Sequence, residues 1–244
     1  MWIRVINPNT TQAMTDAIEP CARAVIAPGT RLDAVTAAMG PASIESHYDE
    51  ALSVPGILAA IRRGEAEGVD GYVLACFGDP GLDAARELAR GPVIGLAEAA
   101  MATASHLGGG FSVVTTLSRT VGRAADLVER YGRQRFCRGI HACELPVLAL
   151  DDPDARKIVT EACRTAVDTD GCDAIVLGCA GMARLCADIR AELGVPVVDG
   201  VAAATLTVQS LLTLGVRKSG RGEFATPPPK TYAGLLRSFG SRAD

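Results

Sequence analysis

Two short stretches of the chain end an apolar run in a cysteine and then a glycine: Gly71 to Asp79 (GYVLACFGD) and Asp173 to Met182 (DAIVLGCAGM). Each run is short and β-branched enough for a buried strand, and the glycine falls where a helix should begin. Cys76 and Cys179 then stand at strand-to-helix junctions, where unpaired backbone N–H groups and the positive helix end favour a thiolate over an ordinary thiol of pKa about 8.5. Two like thiols facing each other across a cleft suit the inversion of a carbon that bears an acidic hydrogen. One base removes the proton from one face, an acid returns it on the other, and the roles exchange in reverse. The intermediate is enolate-like, so neutral donors should surround it. The backbone N–H groups at Phe77, Gly78, Ala180 and Gly181 are candidates, with Asn9, Thr115 and Thr116 as side chains.

Blander readings stand beside this one. A cysteine in an apolar run is most often a small core residue, and that reading is kept for Cys21, Cys137, Cys143, Cys163, Cys172 and Cys186. Metal binding is disfavoured, since no Cys-x-x-Cys pair occurs, His47, His106 and His141 are dispersed, and Cys179 to Cys186 is not a zinc spacing. A redox disulfide between Cys76 and Cys179 lacks the redox motif spacing. A cysteine hydrolase needs a histidine base. None is expected near either strand end, and His47 reads as a surface residue in a capping region. Each threonine could equally be a cap or turn residue.

The elements that would position the cysteines recur along the chain. Trp2 to Asn7 reads as a strand, followed by a helix from Thr10 or Thr11 to about Ala27 and a strand over Leu32 to Ala38. A helical segment spans Ile44 to Ser53, and Pro55 restarts a helix to about Glu67. The strand ending in Cys76 follows, then Asp79-Pro80 as the cap of a helix to Ala89, a strand at Pro92 to Gly95 and an alanine-rich helix. From Phe111 the order begins again, with a helix predicted from Met182 to Leu193 after the second cysteine. Cys76 and Cys179 lie 103 positions apart, Pro92 and Pro196 lie 104 apart, and Ile6 and Val114 lie 108 apart. This spacing predicts a duplicated α/β fold: two pseudo-symmetric lobes, each a mostly parallel sheet flanked by helices, with the active site in the cleft between them. Residues 1–99 are assigned to the first lobe and 100–205 to the second. The C-terminal segment 206–244 is expected to pack back on the first, with a short helix at Tyr232 to Phe239.

Composition agrees with that class. A chain of 244 residues can form two lobes of about 100 residues and bury roughly 70–75 % of its unfolded surface. Hydrophobic residues make up 48 % and aromatics 4 %, which suits an alanine- and valine-rich α/β core. A net charge of −4 leaves no electrostatic footprint for nucleic acid or an anionic membrane. Met1 to Pro8 passes straight into a strand-like run, which predicts no signal peptide, and no apolar stretch reaches membrane-spanning length. The eight scattered cysteines then read as reduced cytoplasmic thiols.

At these residues the sequence resembles the Asp/Glu/hydantoin racemase superfamily, and most closely its hydantoin and allantoin racemase branch. The matching stretches are VINPNT from Val5, PASIESHYDE from Pro41, ACFGDPGL from Ala75, GPVIGLAEAA from Gly91, FSVVTTLS from Phe111, AIVLGCAGM from Ala174 and PVVDGVA from Pro196. The resemblance implies a cofactor-independent racemase with no metal, often a homo-oligomer, acting on a small molecule. It implies Cys76 and Cys179 as the acid/base pair, with Asn9, Ser43, Phe77, Gly78, Thr115, Thr116, Ala180 and Gly181 lining the pocket. In the amino-acid racemase branch an Asn-Thr pair follows the first cysteine and a Thr-His pair the second. Here Phe77-Gly78 and Ala180-Gly181 stand there, so a neutral ring with amide donors and acceptors is expected rather than a zwitterion. The expected reaction is racemisation at C5 of 5-substituted hydantoins, allantoin among the candidates. Two alternatives remain open: a decarboxylase or isomerase of a small diacid, and a two-lobed binding protein without turnover.

Overall fold

The computed structural model describes residues 1–240. The last residues of the expected C-terminal segment, 241–244, lie outside the described residues.

Each half of the chain builds a four-stranded parallel sheet. In the first half, β1 (Trp2–Asn7), β2 (Arg31–Thr36), β3 (Gly71–Leu74) and β4 (Val93–Gly95) stand in the order β2-β1-β3-β4. In the second half, β5 (Phe111–Thr115), β6 (Cys137–Ala142), β7 (Ala174–Leu177) and β8 (Val197–Val198) stand in the order β6-β5-β7-β8. The two orders are the same, as duplication requires. β3 and β7 are buried along their whole length, so they read as unbroken apolar runs rather than alternating ones, as strands covered on both faces do. In each sheet the order reverses between the first and third strands. That reversal opens a crevice at their carboxyl ends, beside Asn9 and Cys76 in one sheet and beside Thr115 and Cys179 in the other.

The helices are α1 (Gln12–Arg23), α2 (His47–Glu67), α3 (Leu82–Leu88), α4 (Leu96–Ala104), α5 (Val121–Arg130), α6 (Ala155–Asp170), α7 (Cys186–Leu193) and α8 (Gly200–Thr213). α4 packs against β7 as well as β4, while α8 packs against β3, β4 and α4. The helix closing each half therefore covers the sheet of the other. The largest core cluster is shared accordingly: it joins Ile3, Val5 and Val73 to Phe111, Val113 and Val176 through Leu96, Met101, Val201 and Val208.

Three local expectations need correction. First, α2 runs unbroken through Pro55. Ser46 caps it by accepting the Asp49 N–H at 3.1 Å, and Gly68, left-handed at φ 85°, ends it. Buried Ile57, Ala60 and Ile61 hold the helix to the sheet, so tertiary packing overrides the missing proline N–H. Second, Asp79 does not cap the helix after Pro80. That helix, α3, begins at Leu82 behind the left-handed Gly81. Asp79 instead accepts the N–H groups of Ala97 (3.2 Å) and Glu98 (3.0 Å) and so caps α4. Third, a 3₁₀ turn over Ala180–Leu185 replaces the first part of the helix expected from Met182.

Beyond α8 the chain runs along α2 and α3 in two 3₁₀ turns, Gly222–Phe224 and Gly234–Phe239. Arg62 Nη1 donates to Ser238 O at 2.8 Å, and Lys218 Nζ to Glu87 O at 3.3 Å.

Candidate active site

Cys76 lies two residues past the end of β3, in a tight turn closed by the Asp79 N–H donating to Cys76 O at 3.0 Å. Asp79 takes a left-handed φ of 45° there, unusual for a non-glycine residue. Cys179 lies two residues past the end of β7, where the Met182 N–H donates to Cys179 O at 3.1 Å. In each turn the backbone N–H of the glycine two residues on favours the thiolate, Gly78 for Cys76 and Gly181 for Cys179. Gly181 is held from its other side, since a Cβ there would come within 2.8 Å of Leu150 Cδ1 and 3.1 Å of Met14 Cε.

Both thiols open onto one cavity of about 160 Å³ at the junction of the two sheets. That is below the roughly 300–1,000 Å³ of a drug-sized pocket and fits a small ring. Of the residues named from sequence, Asn9, Cys76, Phe77, Gly78, Thr115, Thr116, Cys179 and Ala180 line this cavity. Ser43 does not, because it belongs to the loop before α2, whose neighbours Pro41 and Ala42 are tied by their carbonyls to Thr10 and Thr11. Gly181 is also outside the lining; its N–H serves the thiol.

Asn9 and Thr116 offer the cavity a free polar group. Asn9 Oδ1 accepts from the Thr11 N–H (3.0 Å) and from Asn7 Nδ2 (2.9 Å), which fixes its amide orientation. Its Nδ2 has no protein partner among the described residues, nor has Thr116 Oγ1. Thr115 Oγ1 is engaged with Thr120 Oγ1 at 2.9 Å.

The remaining wall is more charged than the sequence suggested. Glu45 and Ser46 come from just before α2 and His47 and Glu50 from its first turn, while Arg119 comes from the 3₁₀ turn before α5 and Arg123 from α5 itself. Arg123 Nε stands 3.1 Å from Glu50 Oε2, across the two halves. Glu45 Oε1 accepts the Val147 N–H at 2.7 Å, also across them. His47 is exposed, as expected, but it borders the cavity as well, so a histidine does stand at the site. The one local signal for this wall was the PASIESHYDE stretch; nothing in the sequence near Arg119 or Arg123 marks them.

Burial dominates the titration of the site. It pushes the Cys179 thiol up to about 11, helped by Cys143 and Glu45 and opposed by the Gly181 N–H. It pushes Cys76 higher still, opposed by the Gly78 N–H and reinforced by Cys179, Glu50 and Asp79. A charge on Cys179 thus discourages a charge on Cys76, and burial favours the neutral thiol at both. Asp79 is raised by burial to about 7, against the Tyr131 hydroxyl that donates to it at 2.7 Å and the N–H groups capping α4. Burial raises Glu50, and Arg123 offsets the rise.

All eight cysteines are free thiols, and among the described residues no group of three His, Cys, Asp or Glu side chains gathers as a metal site. A duplicated α/β fold that brings a thiol from each half to one small cavity defines a class: two-lobed α/β proteins with a small-ligand cavity at the junction of the lobes. The chain belongs to the Asp/Glu/hydantoin racemase family, which residues 3–208 match. It is 46 % identical over 242 residues to a hydantoin racemase of Pseudomonas sp. (strain NS671), covering 98 % of this chain and 97 % of that one. It is 49 % identical over 236 residues to a hydantoin racemase of Rhizobium meliloti, covering 96 % and 98 %. The solved allantoin racemase from Klebsiella pneumoniae superposes with a TM-score of 0.96 at 52 % identity, covering 98 % of this chain and 99 % of that one. The protein is accordingly a racemase, an isomerase.

Proposed function

We propose that this racemase inverts C5 of 5-substituted hydantoins, allantoin among them, by proton transfer between Cys76 and Cys179 without a cofactor. The observation that carries the reading is the equivalence of the two thiols: same strand position, same glycine N–H contact, one shared cavity. The substrate class draws on the relatives, two named hydantoin racemases and one allantoin racemase. A planar ring with amide edges also suits a wall offering Asn9 Nδ2, Thr116 Oγ1 and backbone groups.

The C5–H bond is weakened by the adjacent ring carbonyl. A thiolate on one face removes the proton, and the electron pair moves onto the carbonyl oxygen to give a planar enolate. The thiol on the opposite face then protonates C5, leaving itself as the thiolate. Asn9 Nδ2 and Thr116 Oγ1 are the donors assigned to the developing oxyanion. The cycle requires one thiolate in the pair, and the proximity of the two buried thiols disfavours a second.

No helix among the described residues is long and apolar enough to cross a membrane. We assign the enzyme to the cytoplasm, where its thiols stay reduced. We also read it as a homo-oligomer, to which the exposed Tyr48, Leu214 and Leu235 lend apolar surface. The test of function is to follow single enantiomers of allantoin and of aryl- and alkyl-substituted hydantoins by polarimetry in deuterated water. Loss of rotation with deuterium entering C5 supports the reading, and binding without exchange contradicts it.

A further inference from the structure

The turn carrying Cys76 is gripped from outside its own half of the molecule. Arg123 of α5 donates through Nη2 to Gly78 O at 2.7 Å and stands through Nε 3.1 Å from Glu50 Oε2. Glu50 in turn presses on the turn from α2, since a Cβ on Gly78 would lie 2.4 Å from Glu50 Oε1. Both side chains are largely shielded, at 24 % and 18 % exposure, so their charges are poorly screened. Three elements therefore meet on one residue, Gly78, whose N–H faces the Cys76 thiol.

The charges around that thiol are asymmetric. Glu50 faces it from α2, Asp79 from its own turn and Cys179 from across the cavity, while Arg123, His47 and Asp126 surround Glu50. Asp79 already has partners in the α4 N–H groups and the Tyr131 hydroxyl. Glu50 pairs directly with the Arg123 guanidinium, and His47 adds a smaller attraction. The Cys179 turn has no such arrangement, its glycine being wedged between Met14 and Leu150.

We infer that Arg123 is a positioning residue for Cys76: from the opposite lobe it fixes the turn that points the Gly78 N–H at the thiol and neutralises the Glu50 carboxylate beside it. The inference rests on the two-thiol reading for its catalytic meaning, not for its geometry.

The test compares the wild type with Arg123→Met and with the double variant Glu50→Gln/Arg123→Met. Iodoacetamide labelling at Cys76 and Cys179 is followed by peptide mass spectrometry between about pH 7 and about pH 10, alongside racemisation of a hydantoin. Arg123→Met should slow labelling of Cys76 relative to Cys179 by about tenfold, the equivalent of about one pH unit. Racemisation should fall on the order of 10- to 100-fold. Removing the carboxylate as well should restore part of the labelling ratio, while racemisation stays low because the bond to Gly78 O is still missing. An unchanged ratio in Arg123→Met, equal slowing at both thiols, or a double variant as slow at Cys76 as the single one overturns the assignment. Labelling needs no turnover, so a wild type that fails to racemise would refute the proposed function and leave the Arg123 result to be scored separately.

Discussion

Cys76 and Cys179 occupy matching places two residues beyond β3 and β7, and each thiol meets the backbone N–H of the glycine two positions further on. A donor held this way stabilises a thiolate without a neighbouring cation in the turn itself, and one serves each cysteine. The same N–H leaves the neutral thiol free to donate. The pair can thus exchange roles at each inversion.

The pH dependence follows from burial. With Cys179 raised to about 11 and Cys76 above it, both are thiols near neutrality in the free enzyme. A cysteine is charged above its pKa, so the reactive one-thiolate form grows about tenfold per pH unit below the lower value. kcat/KM for hydantoin racemisation should rise with a slope near one from about pH 7 to about pH 10. A profile that falls across that range would contradict it.

Asp79 gives a stability signature separate from catalysis. Its folded-state pKa, about 7, lies above the unfolded value of about 3.9. The folded state therefore keeps a proton that the unfolded state loses, and the stabilisation present at low pH disappears as pH rises through that window. In denaturant titrations, the stability of wild type relative to Asp79→Asn should decrease between about pH 4 and about pH 7, by a few kcal/mol at most. Tyr131→Phe removes the hydroxyl donated to this carboxylate and should cost about 1–3 kcal/mol.

Gly178 tests how closely the strand ends must meet. A Cβ there would lie 2.9 Å from Thr115 Cα and 3.0 Å from Val114 O, backbone atoms of β5 that cannot turn aside. Gly178→Ala should destabilise by about 1–3 kcal/mol and, by shifting the adjacent Cys179, lower kcat on the order of 100-fold. Gly122 in α5 has nothing within 4 Å of its Cβ position, so Gly122→Ala should leave activity unchanged. Equal behaviour of the two variants would contradict the packing argument.

Much of this architecture was legible in the chain. The apolar runs of β3 and β7 marked the central strands, and the spacing between the cysteines revealed the duplication. What escaped depends on long-range packing. Asp79-Pro80 has the form of a local cap, yet its carboxylate reaches α4, because the turn aims it at N–H groups 18 and 19 residues away. Pro55 looked like a break, but burial of Ile57 and Ile61 keeps α2 continuous. Arg119 and Arg123 carry no local sign of the cavity, since they meet Glu45 and Glu50 only when the two halves of the chain come together. Ser43 shared a conspicuous stretch with cavity residues and still falls outside the lining.

The two-thiol account is tested most directly by hydrogen exchange at C5. Cys76→Ala and Cys179→Ala are each given both enantiomers of one hydantoin in deuterated water, and C5–H is followed by NMR together with optical rotation. Each variant should lose racemisation by about 10³-fold or more, since a general acid or base has been removed outright. Each should still exchange C5–H of one enantiomer only, and the two variants should select opposite enantiomers. Racemisation at the wild-type rate in either variant, or exchange of the same enantiomer by both, would contradict the account.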